Sequence, residues 1–348
     1  MRRGIFKVAH CGQECCGTQM QTAIPFLKPP SVIVSAPVKD EYEVRFTEIL
    51  KDITHLNHAD AALVGVPFDG GTVGGRPGSR LAPKEIRASF PASRTYEPYL
   101  GIDISEVLTV IDAGDVEVVY TDVHATIERT RTAVAHLLQV PVIPIVMGGD
   151  HLITYPCLQA LVDVTPGYVG VINFDSHFDV RVSYGGEISS GTPFRMALER
   201  SNGKIKPQNF VEIGPHGFHT QRVYREYIDE QGIRLITAQE VHQRGMEAVL
   251  ERAVAWATEG VEALYVSVDI DALDFGWAPG TGNPTPGGLT GVQILEAVAA
   301  LGRHPLTRVF DVVEISPPLD VANLTVIMGR EIIMNFLGGL ALRKRDKL

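Results

Sequence analysis

The sequence predicts an α/β protein in which a mainly parallel β-sheet is covered on both faces by helices. Three observations predict it. Short apolar runs rich in Val, Ile, Leu and Phe recur after residue 58, helix-length segments separate several of them, and polar clusters stand at the ends of the runs rather than inside them. A sheet buried on both faces needs strands that are apolar throughout, and strands that alternate with helices pair in parallel. In such open sheets the ligand crevice lies beyond the carboxyl ends of the strands, where these clusters fall.

Residues 1–58, rich in Pro, Gly and polar side chains, are read as an N-terminal arm with one helix expected over 41–53. The runs expected as strands are 61–66, 107–111, 142–147, 168–174, 210–213, 234–236, 264–268 and 309–313. The clearest helices are 126–138, 246–257 and 291–301. Neither an internal repeat nor a composition break divides 59–348, so this stretch is read as a single domain.

Composition narrows the function classes. The 348 residues are 45% hydrophobic, enough for one large core, and a net charge of -10 with scattered basic residues argues against a nucleic-acid partner. No apolar run is expected to span a membrane and no signal-peptide core is evident, so the reading is a soluble, cytoplasmic protein without a membrane partner. Three of the four cysteines, Cys11, Cys15 and Cys16, crowd beside His10. In a chain this long they are read as reduced thiols rather than a disulfide framework.

The richest cluster is Ile172-Asn-Phe-Asp-Ser-His-Phe-Asp-Val-Arg181. Read as an extended continuation of the run before it, this stretch points Asp175, His177 and Asp179 to one side. Two carboxylates and an imidazole so crowded repel or lose charge, unless divalent cations convert the crowding into binding. Asp269 and Asp271 repeat the i, i+2 spacing after 264–268, and His151 follows Gly148-Gly-Asp150, whose glycines permit a tight turn toward a site. His151, Asp175, His177, Asp179, Asp269 and Asp271 thus bring together carboxylates whose charges balance two divalent metal ions. Oxygen-rich ligation with some nitrogen favours manganese, with nickel, cobalt or zinc as alternatives. A water bridging two such ions ionises near neutral pH and becomes a nucleophile.

Several stretches, in family order, resemble the ureohydrolases, which include arginase, agmatinase and guanidinobutyrase. They are Ala62-Leu-Val-Gly-Val-Pro-Phe-Asp69 with Arg76-Pro-Gly-Ser-Arg80, Gly148-Gly-Asp-His151, Asp175-Ser-His-Phe-Asp179 and Ser267-Val-Asp-Ile-Asp-Ala-Leu-Asp274. Ala278-Pro-Gly-Thr-Gly-Asn-Pro-Thr-Pro-Gly-Gly-Leu-Thr290 and Asp311-Val-Val-Glu-Ile-Ser-Pro-Pro318 follow. The resemblance implies a three-layer αβα sandwich with an eight-stranded, mainly parallel sheet, and a catalytic domain spanning 59–348. It also implies a binuclear metal site and a hydrolase that cleaves a C–N bond of a guanidino-type compound. In that reaction a bridging hydroxide attacks the guanidinium carbon, and the intermediate collapses to urea, or a urea-like product, and an amine. The six residues above fall on the family's metal ligands and Glu314 on its guanidinium-binding glutamate. Family members are commonly trimers or hexamers, so a homo-oligomer is expected.

Departures from the family pattern shape the substrate reading. Where arginases and agmatinases carry a proton-shuttling histidine, in Ser189-Ser-Gly-Thr-Pro-Phe-Arg195, this chain has Ser190. Serine does not titrate near neutral pH, so Ser190 is expected to orient water or substrate. The proton for the leaving nitrogen is then expected from Asp179, from a metal-bound water relayed by Ser190, or from a displaced histidine, His216 or His219, beyond the run 210–213. Arg181, two residues past a metal ligand, is placed either to clamp a substrate carboxylate or to pair with Glu187. Asn283, where threonine is frequent, and Phe275, where proline is usual, alter the pocket floor. The stretches 174–181 and 189–194 resemble formimidoylglutamase, whereas 278–290 and Asp150 resemble agmatinase and guanidinobutyrase. Guanidino acids, free guanidine and biguanides are the expected substrates. The alternatives are hydrolysis of formimidoylglutamate to glutamate and formamide, and a non-catalytic partner subunit of a mixed ureohydrolase oligomer.

Overall fold

A computed structural model describes residues 24–32 and 40–347. His10, Cys11, Cys15 and Cys16 lie outside the described residues. In chain order the elements begin with β1 (Leu27–Lys28), α1 (Phe46–Ile49), β2 (Lys51–Asp52), β3 (Ala61–Gly65), α2 (Ala82–Ser89), β4 (Tyr96–Glu97) and β5 (Ile102–Asp103). They continue with β6 (Val110–Val116), α3 (Val123–Leu137), β7 (Ile143–Met147), α4 (Thr154–Val164), β8 (Val169–Phe174), α5 (Pro193–Arg200), β9 (Phe210–Ile213) and α6 (Arg222–Gln231). The last are β10 (Arg234–Ile236), α7 (Ala238–Arg244), α8 (Met246–Ala257), β11 (Ala263–Asp269), α9 (Gly291–Arg303), β12 (Thr307–Val313) and α10 (Leu324–Arg345).

All the expected strands form, in the order β6-β3-β7-β12-β11-β8-β9-β10, with every neighbouring pair parallel. The second of them begins later than expected, because Val107 and Leu108 donate their N–H groups to the Ile104 carbonyl and close a 3-10 turn instead. The sheet has ten strands rather than eight. β1 adds to β6 antiparallel and β2 in parallel, both from the stretch read as an arm. The helix expected over 41–53 is a single turn, α1. Lys51–Asp52 are drawn into β2, and the Asp52 carboxylate then caps the next turn by accepting the Thr54 N–H. Phe46 of α1 is fully buried against Phe90, with ring centroids 4.9 Å apart.

Alternate side chains along each strand enter two separate apolar layers. On β11, Leu264, Val266 and Val268 pack with residues of α2 and α7 to α10, while Ala263 and Tyr265 pack with α3 to α6. That alternation produces the αβα sandwich. Contrary to the expectation of no membrane-length run, α10 is long and apolar enough to cross a membrane by length and composition. Most of it is buried against α9 as a core helix. Gly339 permits the close approach, since a Cβ there would lie 1.9 Å from the Ala299 carbonyl oxygen.

The central strands β7, β12, β11 and β8 end at one edge. Register sets Met147 beside Val312, Val313 beside Asp269, and Val268 beside Phe174, so the residues that follow emerge side by side.

Candidate metal centre and active-site cleft

All six expected ligands meet at that edge. They form two groups that share Asp175: His151, Asp175, Asp179 and Asp269 in one, and Asp175, His177 and Asp271 in the other. His151 Nδ1 lies 3.2, 3.0 and 3.1 Å from the Oδ2 atoms of Asp175, Asp179 and Asp269. His177 Nδ1 lies 3.2 Å from Asp175 Oδ1 and 3.3 Å from Asp271 Oδ2. Asp175 therefore turns one carboxylate oxygen to each group.

The convergence has a different cause from the expected one. β8 ends at Phe174, and residues 175–179 turn rather than extend. Asp175 Oδ1 accepts the His177 N–H at 2.6 Å, and Asp179 sits at φ +46°, a left-handed conformation uncommon outside glycine. Asp271 likewise enters a 3-10 turn, its N–H donating to Asp269 Oδ1 at 2.9 Å. In both motifs the i, i+2 spacing works because one ligand's carboxylate caps the turn that carries the next. His151 opens the turn after β7, where Gly149 is required: a Cβ there would lie 1.7 Å from the Phe68 carbonyl oxygen.

A narrow cleft opens over the ligands, walled by Thr72, Val73, Arg181, Ser190, Asn283 and Glu314. Glu314, just past β12, has φ +62°, and its Oε1 accepts the His151 N–H at 2.9 Å. Such strain in a non-glycine residue is tolerated where surroundings over-determine it, commonly at sites that act on a ligand. Ser190 Oγ accepts the Val73 N–H at 3.2 Å and so anchors the glycine-rich 72–78 loop beside the cleft. The Arg181 guanidinium lies over the rings of Tyr184 and Tyr224, 5.9 and 5.1 Å from their centroids. Among the described residues no carboxylate pairs with it, Glu187 included. His216 does not line the cleft. Its Nδ1 is tied to the Gly214 carbonyl at 2.8 Å, which turns the ring into a separate pocket beside His242. His219 comes nearer, with its ring 5.8 Å from that of His177.

The donor set fits a metal. His151 Nδ1 is buried and has no hydrogen-bond partner, although three carboxylate oxygens surround it. Its Nε2 lies 3.1 Å from Ser267 Oγ, whose hydroxyl donates to Asp311 Oδ1 at 2.6 Å. That chain places the proton on Nε2 and leaves the Nδ1 lone pair aimed among the carboxylates, the arrangement of a ligating imidazole.

Residues 59–338 match the model of the Arginase family. This chain belongs to the arginase family. It is 33% identical to a formimidoylglutamase of Halalkalibacterium halodurans, over 89% of this chain and 96% of that protein. It is 36% identical to a guanidinopropionase of Pseudomonas aeruginosa, over 80% of this chain and 86% of that one. Its fold superposes with a TM-score of 0.79 on a formiminoglutamase of Trypanosoma cruzi solved with Mn2+, at 28% identity, covering 86% of this chain and 99% of that one. The chain is thus a hydrolase of the amidinohydrolase class.

The arginase family depends on a binuclear metal centre, and the two groups sharing Asp175 match that requirement. Without cations the site holds protons. Burial opposes charge on His151 and His177, but the surrounding carboxylates outweigh it and hold both well above the ordinary imidazole value. Burial, joined by the charges of Asp271 and Asp175, pushes the Asp269 carboxyl well above its usual range. Divalent ions must displace these protons. Metal loading is expected to release protons and to tighten as pH rises through neutrality. Calorimetry in buffers of different ionisation enthalpy measures this, and loading with no proton release contradicts it.

Sequence reasoning missed Asn173, Glu212, Ser267 and Asp311 as contributors to the site. The signal that reveals them is a polar residue within a largely apolar strand, one or two positions before a ligand or a strand end.

Proposed function

We propose that this arginase-family chain hydrolyses a C–N bond of a small guanidino acid, releasing urea and an amino acid. Two divalent ions, manganese first and nickel as the alternative, are held by His151, Asp175, His177, Asp179, Asp269 and Asp271. Arg181 carries the reading. Its guanidinium walls the same cleft as the ligands, is steadied by Tyr184 and Tyr224, and has no carboxylate partner among the described residues. A substrate carboxylate supplies that partner through bidentate, charge-assisted hydrogen bonds. The similarity to a guanidinopropionase and to a manganese-loaded formiminoglutamase supports the substrate class and the metal.

When bound, the divalent pair supplies the acidity that makes water a nucleophile near neutral pH. The chain's own groups do the rest. Glu314 receives the planar guanidinium, Arg181 fixes the far end, and Asn283 and the loop anchored by Ser190 close the walls. Asp179, which lines the cleft, is the carboxylate placed to take a proton from the attacking water and pass it to the leaving nitrogen. Residues 59–348 form the catalytic domain and the arm braces the sheet edge, within a cytoplasmic homo-oligomer, a trimer or hexamer.

The absence of an imidazole at Ser190 favours a second reading, a formimidoyl substrate that also bears carboxylates. A panel of guanidino acids, guanidine, a biguanide, agmatine and formimidoylglutamate, assayed for urea, formamide and ammonia, separates the two. Arg181→Ala is expected to lower kcat/KM roughly tenfold to a hundredfold on carboxylated substrates, the cost of a charge-assisted pair, and to spare uncarboxylated ones. Agmatine as the best substrate, or equal losses on both kinds, contradicts the carboxylate clamp. A metal-loaded chain that turns over no substrate supports the partner-subunit alternative instead.

A further inference from the structure

One level below the ligands, β9, β8, β11 and β12 each carry a polar side chain at matching register. Glu212 stands beside Asn173, Asn173 beside Ser267, and Ser267 beside Asp311. All four are buried at 0% exposure. Side chains two apart on a strand share a face, so this row lies beneath Asp175 and Asp269. Buried polar groups persist where they are bonded, and each half of the row bonds upward to a ligand. Ser267 and Asp311 hold Nε2 of His151. Asn173 Nδ2 lies 3.0 and 3.1 Å from the two carboxyl oxygens of Glu212 and 3.4 Å from Asp175 Oδ2. An amide nitrogen carries two hydrogens, so with one taken by Glu212 the other is turned toward Asp175.

We propose that Glu212 and Asn173 are positioning residues that aim Asp175 Oδ2 at the metal position beside His151. The buried row as a whole then builds that one position. Asp175 Oδ1, which faces His177, is held instead by the His177 N–H and does not depend on the row. Glu212 needs only to present an acceptor oxygen to the amide, which a carboxylate, a neutral carboxyl or a carboxamide supplies equally. The inference rests on the two-metal reading of the site.

Manganese(II) titration of the whole protein, followed by calorimetry and electron paramagnetic resonance, tests it. The wild type is expected to take two ions that give a coupled-pair spectrum; fewer than two overturns the two-metal reading itself. Glu212→Leu and Asn173→Ala are each expected to weaken one position about tenfold to a hundredfold, as removal of a ligand's supporting partner does. At equimolar manganese their spectra should be those of isolated ions. Adding His151→Ala should leave the retained ion in place, whereas adding His177→Ala should release it. Glu212→Gln should keep both ions at wild-type affinity. With wild-type binding intact, equal weakening of both positions, no weakening, or failure of Glu212→Gln alongside Glu212→Leu overturns the assignment. Should Glu212→Leu not fold, Asn173→Ala and Glu212→Gln carry the same comparison.

Discussion

Replacing Asp175 with asparagine is expected to empty both metal positions and to lower kcat/KM by roughly a thousandfold or more, because a water-activating metal pair is lost with it. Asp175 is the one residue common to both ligand groups, and each of its oxygens lies 3.2 Å from a different histidine nitrogen. An amide offers one good acceptor and no charge, so it cannot serve both sides. The remaining carboxylates are then too few to balance two divalent ions. Metal analysis of the purified variant, with circular dichroism to confirm folding, reads the outcome. Two tightly held ions in Asp175→Asn, or full turnover of the wild type after exhaustive chelation, would contradict the shared-ligand geometry.

Glu314→Gln is expected to reduce kcat/KM by on the order of tenfold to a thousandfold, from roughly 1.5 to 4 kcal/mol for a charge-assisted contact. The substitution keeps shape and removes charge. Burial, reinforced by the neighbouring Asp150, holds the Glu314 carboxyl well above its usual pKa. A cationic substrate therefore meets a group that must lose its proton to bind it well, and apparent affinity should fall as pH drops through that raised value. The glutamine variant should lose this pH dependence along with its affinity. Unchanged kinetics with a guanidinium substrate would place recognition elsewhere in the cleft. The backbone of Glu314, at φ +62° with Oε1 on the His151 N–H, holds the carboxyl toward the ligands before any substrate arrives.

Much of this protein was legible in its sequence. Buried strands announce themselves as apolar runs, because each must hide both faces, and residue types able to ligate divalent metals are few and stood together after those runs. The parallel sandwich and the gathering of the six candidate ligands follow from such local properties, whereas Glu314 was singled out by the family resemblance. The explanation offered by spacing alone was nevertheless wrong. An extended strand was expected to align Asp175, His177 and Asp179, whereas the chain turns, with carboxylates capping backbone N–H groups.

What only the tertiary structure decided involves contacts between residues far apart in the chain. The sequence does not reveal that Lys51–Asp52 leave the expected helix to pair with β6, because the competing partner is another strand. It does not reveal that Arg181 is steadied by Tyr224 on α6, or that the Gly214 carbonyl turns His216 out of the cleft. Nor does it align Glu212, Asn173, Ser267 and Asp311, whose row exists through the register of four parallel strands. The physical reason is the same throughout: chemistry and burial are written into each residue and its neighbours, whereas register and strand order arise only when distant segments pair.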